Sequence, residues 1–172
     1  MGRIFLILCA VLLFSSCEEY SLRRQIRAMY HTRTMLPEPL LRQVHGAIPD
    51  SCPIMVVYYD PQVCASCTLQ RMDEWDGFLR YYRDSLKTPI ASLFIFAPNE
   101  QQKQQVRDIL QQYDKYPIIL DETGAFVKAN PDFPQDSRLH TFLLDSMNQV
   151  LLLGNPINNE SIRKLYIEEM LY

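Results

Sequence analysis

The chain has 172 residues, 48% hydrophobic and 22% charged, with 11 Pro and only 5 Gly, as expected of one globular domain carrying a short appendage. That balance excludes collagen-like, low-complexity and long disordered chains. Seventeen basic against twenty acidic residues give a formal charge of −3, which leaves a nucleic-acid partner without an electrostatic basis.

The N-terminus reads as an address. Met1, Gly2 and Arg3 precede an uninterrupted apolar run from Ile4 to Phe14, followed by Ser15, Ser16 and Cys17. Eleven residues at about 1.5 Å each fall well short of a hydrocarbon core about 30 Å thick, so the run fits the apolar region of a secretory signal peptide over residues 1–16. Small residues just before a cysteine resemble the lipobox of bacterial lipoproteins, here Phe14-Ser15-Ser16-Cys17, with Phe14 where Leu is usual. The resemblance implies that Cys17 becomes the lipidated first residue of a protein held on a membrane of the bacterial cell envelope, on its periplasmic or outer-membrane face. Cys9 leaves with the leader. Cys52, Cys64 and Cys67 remain, in a compartment where neighbouring thiols oxidise and stay oxidised.

Residues 17–45 read as a tether or N-terminal extension, in which polar and basic Glu18 to Met35, with Leu22, Ile26 and Met29 at helical spacing, is either a short amphipathic helix or extended, and Pro37 and Pro39 end any helix there. Leu40, Leu41 and Val44 are expected on the edge of a domain spanning 46–172. IMVVYY over 54–59 is a near-continuous run of β-formers, as in a strand covered on both faces. A helix over 67–86 follows, with Met72, Trp75, Leu79, Tyr82 and Leu86 on one stripe. A second buried strand covers 90–97. Asn99 with Gln102 has the pattern of a capping box opening the next helix, whose apolar face is Val106, Ile109, Leu110 and Tyr113. A third strand is expected over 116–120, a short helix over 123–129, a hairpin from 140–145 and 150–153, and a closing helix through Ile162, Leu165, Tyr166 and Met170. The order β-α-β-α-β-α-β-β-α predicts an α/β sandwich of three layers: a mixed central sheet with helices on both faces.

The chemistry gathers at the first strand-to-helix junction, where Cys64-Ala65-Ser66-Cys67 forms a C-x-x-C. At a helix start the unpaired amide hydrogens favour a thiolate over a thiol. Cys64 is expected to be the exposed nucleophile, with Cys67 one turn inward to resolve a mixed disulfide. The bland alternatives are an inert disulfide or two buried thiols. A zinc site lacks ligands, because no second C-x-x-C or His pair exists. Asp60 either assists proton transfer or opens the turn with Pro61. Cys52 is either a buried thiol or a third redox partner. His31 and His45 carry no assigned role.

IMVVYYDPQVCASC and HTFLLDSMNQV resemble two segments of the thioredoxin superfamily, in particular its membrane-anchored thiol-disulfide oxidoreductases of the redoxin type, over roughly residues 46–172. That resemblance implies a thioredoxin-like fold, with Tyr116 to Ala129 as an inserted strand-helix unit. It also implies thiol-disulfide exchange with extracytoplasmic protein or small-molecule thiols or disulfides, and no cofactor is expected. Two departures stand out. Asp60 and Val63 occupy positions where the family commonly has aromatics, and the family's cis-proline falls on Leu139, expected to be trans with an altered substrate groove. His140 would then lie by the cysteines. It either tunes the Cys64 thiolate, joins Cys64 and Cys67 as a copper ligand in the manner of copper-delivery proteins of this fold, or simply caps a strand end. A redox-silent binding lipoprotein that retains the fold is the remaining reading.

Overall fold

The computed structural model describes residues 18–30, 32–41, 52–86, 90–111, 113 and 115–170. The expected signal peptide, Cys17, His31, His45 and the domain start near Gly46 lie outside them. The β-forming run becomes strand β1 (Ile54–Tyr59), the centre of the sheet. β2 (Ala91–Phe96) pairs parallel with β1, Ile54 opposite Ala91 through Tyr59 opposite Phe96, and β3 (Ile118–Leu120) pairs parallel with β2. β4 (Thr141–Leu144) runs antiparallel to β1, and β5 (Val150–Leu153) antiparallel to β4. The resulting five-stranded order is β3-β2-β1-β4-β5. Because β4 runs antiparallel to both β1 and β5, the end of β5 lies at the same end of the sheet as the end of β1.

Strand alternation divides the core in two. Met55, Val57, Phe94 and Phe96 face one side, where α3 (Ala65–Gln70), α4 (Glu74–Tyr81), α5 (Lys103–Leu110) and α7 (Glu160–Glu169) pack through Leu69, Trp75, Phe78, Val106, Leu110 and Tyr166. Val56, Tyr58, Leu93 and Ile95 face the other, where α6 (Ala125–Ala129) contributes Phe126. A five-residue helix cannot cover that face. The N-terminal extension completes the layer: a helix over 18–29 (α1) and a short α2 (Glu38–Leu41) bury Met29 and Leu40 against it, with Leu36 beside them.

The described part of the extension is docked on the sheet: of the two readings, extended tether or short amphipathic helix, the helix is the one seen, and Leu40 packs on the domain as expected. The extension's backbone joins the fold as well: Arg33 bridges Gln149, Thr34 N donates to Asn148 O at 2.7 Å, and Val150 N donates to Thr32 O at 3.0 Å. Asn130 grips Met35 from both sides, accepting from its N–H at 2.8 Å and donating to its carbonyl at 2.9 Å.

Three local expectations shift. The helix expected over 67–86 starts at Ala65, breaks into a turn over 71–73 and ends in a π-helical turn, Tyr82–Leu86. Three-residue hydrogen bonds carry the break, such as Trp75 N to Met72 O at 3.1 Å, and keep Leu69, Met72, Trp75 and Phe78 all inward. Asn99 Oδ1 does accept from Gln102 N at 3.1 Å, but this closes a separate turn, and α5 begins only at Lys103. β3 is shorter than 116–120, with Pro117 outside it lending its carbonyl to Phe94 N at 3.1 Å. No described helix is long and apolar enough to cross a membrane.

Candidate functional site

The chain turns as soon as β1 ends. Asp60 Oδ1 accepts from Gln62 N at 2.8 Å, Val63 N donates to the Asp60 carbonyl at 3.1 Å, and Asn99 Nδ2 donates to the Pro61 carbonyl at 3.2 Å. This pinned turn delivers Cys64 as the N-cap residue of α3. Its Sγ accepts from the Cys67 backbone N–H at 3.3 Å, the place usually filled by a Ser, Thr, Asp or Asn oxygen. Ser66 Oγ lies 3.6 Å from the same sulfur. Cys64 and Cys67 share a disulfide, with Cα atoms 5.3 Å apart.

Both cysteines are exposed. The inward positions of this first turn belong to Ala65 and Ser66 instead. The expectation that Cys67 lies inward fails for a geometric reason: the helix starts at residue 65, so Cys67 is its third residue and shares the outer side with the cap.

An open cavity of about 380 Å³ lies beside the disulfide. Besides the two cysteines, Tyr59, Val63, Thr68, Arg71, Glu74 and Trp75 line it, and Asn155, Ile157 and Asn158 contribute a stretch of wall from the loop after β5. Trp75 Nε1 donates to Tyr59 Oη at 3.3 Å, and burial pushes the Tyr59 phenol up to about 12. That phenol therefore stays neutral at ordinary pH. Arg71 and Glu74 pair with each other at the rim. Sequence reasoning did not find the 155–158 wall. Its signal was the polar run Asn155-Pro156-Ile157-Asn158-Asn159 directly after a buried strand, at the sheet end where ligands of α/β folds gather.

Asp60 and His140 come together in a different place. His140 Nε2 donates to the Pro134 carbonyl at 3.0 Å, which leaves Nδ1 facing Asp60 Oδ2 at 3.6 Å, beyond hydrogen-bond range. The imidazole is buried, stacked on Phe133 at 4.9 Å and edge-on to Tyr58 at 5.4 Å. Burial pulls its pKa below the usual histidine range, against the opposing pull of the Pro134 hydrogen bond and the Asp60 and Asp136 charges. Leu139 is buried in a 3₁₀ turn, Ser137–Leu139, and its peptide bond is trans. Asp60, Leu139 and His140 do not line the cavity beside the disulfide. Of the two readings left open for Asp60, the turn is the one seen; its second oxygen serves the His140 corner.

Nor do Cys64, Cys67 and His140 form a set of ligands: among the described residues no group of three or more His, Cys, Asp or Glu side chains is placed to hold a metal ion. Both sulfurs are committed to each other and the imidazole Nε2 to a carbonyl. Cys52 is buried at the entrance to β1 and outside the disulfide.

No protein-family model matches the chain, and no curated protein matches it in sequence. Solved structures do. Yeast Sco1 with copper bound is similar with a TM-score of 0.51 and 13% identity, over 72% of this chain and 81% of that one. The exposed lipoprotein thioredoxin Etrx1 of Streptococcus pneumoniae gives 0.46 and 10%, over 70% and 86%. A thioredoxin-like protein from Porphyromonas gingivalis gives 0.46 and 14%, over 72% and 77%. At these identities the likeness is one of fold. A mixed β3-β2-β1-β4-β5 sheet between two helical layers, with a C-x-x-C where β1 passes into α3, makes this a thioredoxin-like fold.

Proposed function

We propose that this chain is a thiol-disulfide exchange protein working through Cys64 and Cys67. The observation that carries the reading is an exposed disulfide whose first sulfur caps a helix and opens onto a cavity. A disulfide kept only for stability is better placed under the surface, away from attacking thiolates. In the oxidised form, a substrate thiolate attacks Cys64 Sγ, the Cys64–Cys67 bond breaks, and Cys67 leaves as a thiolate that takes up a proton. A second substrate thiol then displaces Cys64, so the substrate becomes a disulfide and the protein a dithiol, with two electrons and two protons passed. The same steps reversed reduce a substrate disulfide. The Cys67 amide hydrogen at Cys64 Sγ supports the negative charge that this sulfur carries as nucleophile or leaving group.

The substrates proposed are protein thiols or disulfides of the bacterial cell envelope. The apolar run 4–14 and Cys17 support a lipid anchor there, on sequence grounds. The reading is tested by reducing the oxidised chain in dithiothreitol redox buffers and alkylating the products. Reversible reduction, with Cys64 alkylated about tenfold faster than Cys67, supports it. A disulfide that resists reduction in the folded state leaves a redox-silent binding protein.

A further inference from the structure

The wall of the disulfide cavity is held from behind by one helix. Gly154, at the end of β5, adopts φ +113° and donates its N–H to the Thr141 carbonyl at 2.7 Å. Its own carbonyl accepts from the Tyr166 hydroxyl of α7 at 3.1 Å, deep in the core. One turn earlier on α7, Arg163 Nε donates to the Pro156 carbonyl at 3.0 Å and Nη2 to the Ile157 carbonyl. Two α7 side chains thus satisfy three carbonyls of a four-residue stretch. Inside the loop, Ile157 N donates to Asn155 Oδ1 at 2.8 Å. A loop of this length has no repeating ladder to fix it, and a guanidinium reaching two carbonyls is a directional clamp.

We propose that Arg163 and Tyr166 are positioning residues: they hold the 154–158 loop as the wall of the disulfide cavity and so determine how well the residues flanking a substrate's reacting sulfur are bound. The inference rests on the exchange reading for its substrate, a disulfide or thiol carried on a peptide, but not for its geometry. Neither side chain lines the cavity, and their polar atoms are spent on loop carbonyls, so the clamp acts on recognition of what surrounds the reacting atom and leaves bond exchange itself unaffected.

Trp75 is the one tryptophan of the chain and lines the same cavity, so its fluorescence reports on the wall independently of activity. The experiment uses the full chain with Arg163→Gln, Tyr166→Phe, and Arg163→Lys as the conservative variant. Acrylamide quenching of Trp75 is measured first. Steady-state exchange follows, with dithiothreitol returning the protein to its dithiol after each cycle and its direct reaction with substrate subtracted; the substrates are glutathione disulfide, which carries peptide on each sulfur, and bis(2-hydroxyethyl) disulfide, which does not. Expected are a rise of about twofold in quenching for Arg163→Gln and Tyr166→Phe, and a rise of about fivefold in KM for glutathione disulfide at nearly unchanged kcat. The small disulfide keeps its wild-type rate, and Arg163→Lys falls between. Unchanged quenching overturns the positioning role. Equal losses on both disulfides, or a loss in kcat alone, overturn the role in recognition. If the wild-type chain exchanges with neither disulfide, the exchange reading fails and takes recognition with it, while the quenching result still decides the positioning role.

Discussion

Two corners at the same end of the sheet are built from neighbouring segments and behave oppositely. One holds Cys64 and Cys67, exposed, with a cavity in front. The other holds Asp60 and His140, closed over by Phe133 and Pro134, the imidazole buried and bonded to a carbonyl. The turn that links them makes the difference. It spends one Asp60 oxygen on the Gln62 amide, aims the other at His140, and hands Cys64 to the solvent side as a helix cap. Reactivity in this fold follows from which groups are left accessible after the turn is satisfied. A histidine near a cysteine pair in sequence alignment is not thereby near it in chemistry.

Mutation separates the two corners most strongly at the cysteines. Cys64→Ser and Cys67→Ser each lower disulfide turnover by at least about 100-fold, whereas His140→Phe, which keeps a stacked ring, stays within about twofold. A loss with His140→Phe comparable to the cysteine variants would join the two corners into one site. The closed corner also depends on the N-terminal extension for the layer beneath it. Met29→Ala or Leu40→Ala is expected to cost about 2–5 kcal/mol in urea denaturation, as for other buried large-to-small changes. A free tether would give less than about 0.5 kcal/mol.

Smaller effects sharpen the picture. At Gly154 an added Cβ falls 2.6 Å from Ile162 Cδ1 at a φ that side chains rarely adopt. Gly154→Ala therefore destabilises by about 1–3 kcal/mol in the same assay, and adding Ile162→Ala recovers only the part due to contact. The smallest effect is a pH dependence. The folded state holds the His140 pKa below its unfolded value, mainly by burial, so the unfolded chain binds the extra proton first. The His140 contribution is complete above an unfolded pKa of about 6.5 and is lost as pH falls below it. His140→Phe removes that part of the acid slope, which thermal melts from pH 7.5 to 5 will register.

Where local pattern and tertiary demand agreed, the fold was readable. IMVVYY becomes a strand over the residues its composition marks, because a central strand covered on both faces wants β-branched and aromatic residues. C-x-x-C after that strand signalled a helix start, and Cys64 is the cap. Other features depend on distant partners. Met29 looks like one apolar position of a polar helix until the uncovered sheet face that receives it is known. The break at 71–73 keeps an apolar stripe at three-residue spacing, which a continuous helix reading averages away. Cys67 turned outward for want of two residues in the assumed helix start. The pairing of Asp60 with His140 joins positions eighty residues apart and carries no local mark.

On the proposed mechanism the Cys64 sulfur, capped by an amide hydrogen and open to the cavity, is the atom that exchanges. The direct test is to react reduced Cys67→Ser and Cys64→Ser proteins with a disulfide-bonded peptide and weigh the products by mass spectrometry. The account predicts a stable mixed disulfide on Cys64 in the first variant and about tenfold slower capture on Cys67 in the second. Equal capture by both, or capture by neither, would contradict it.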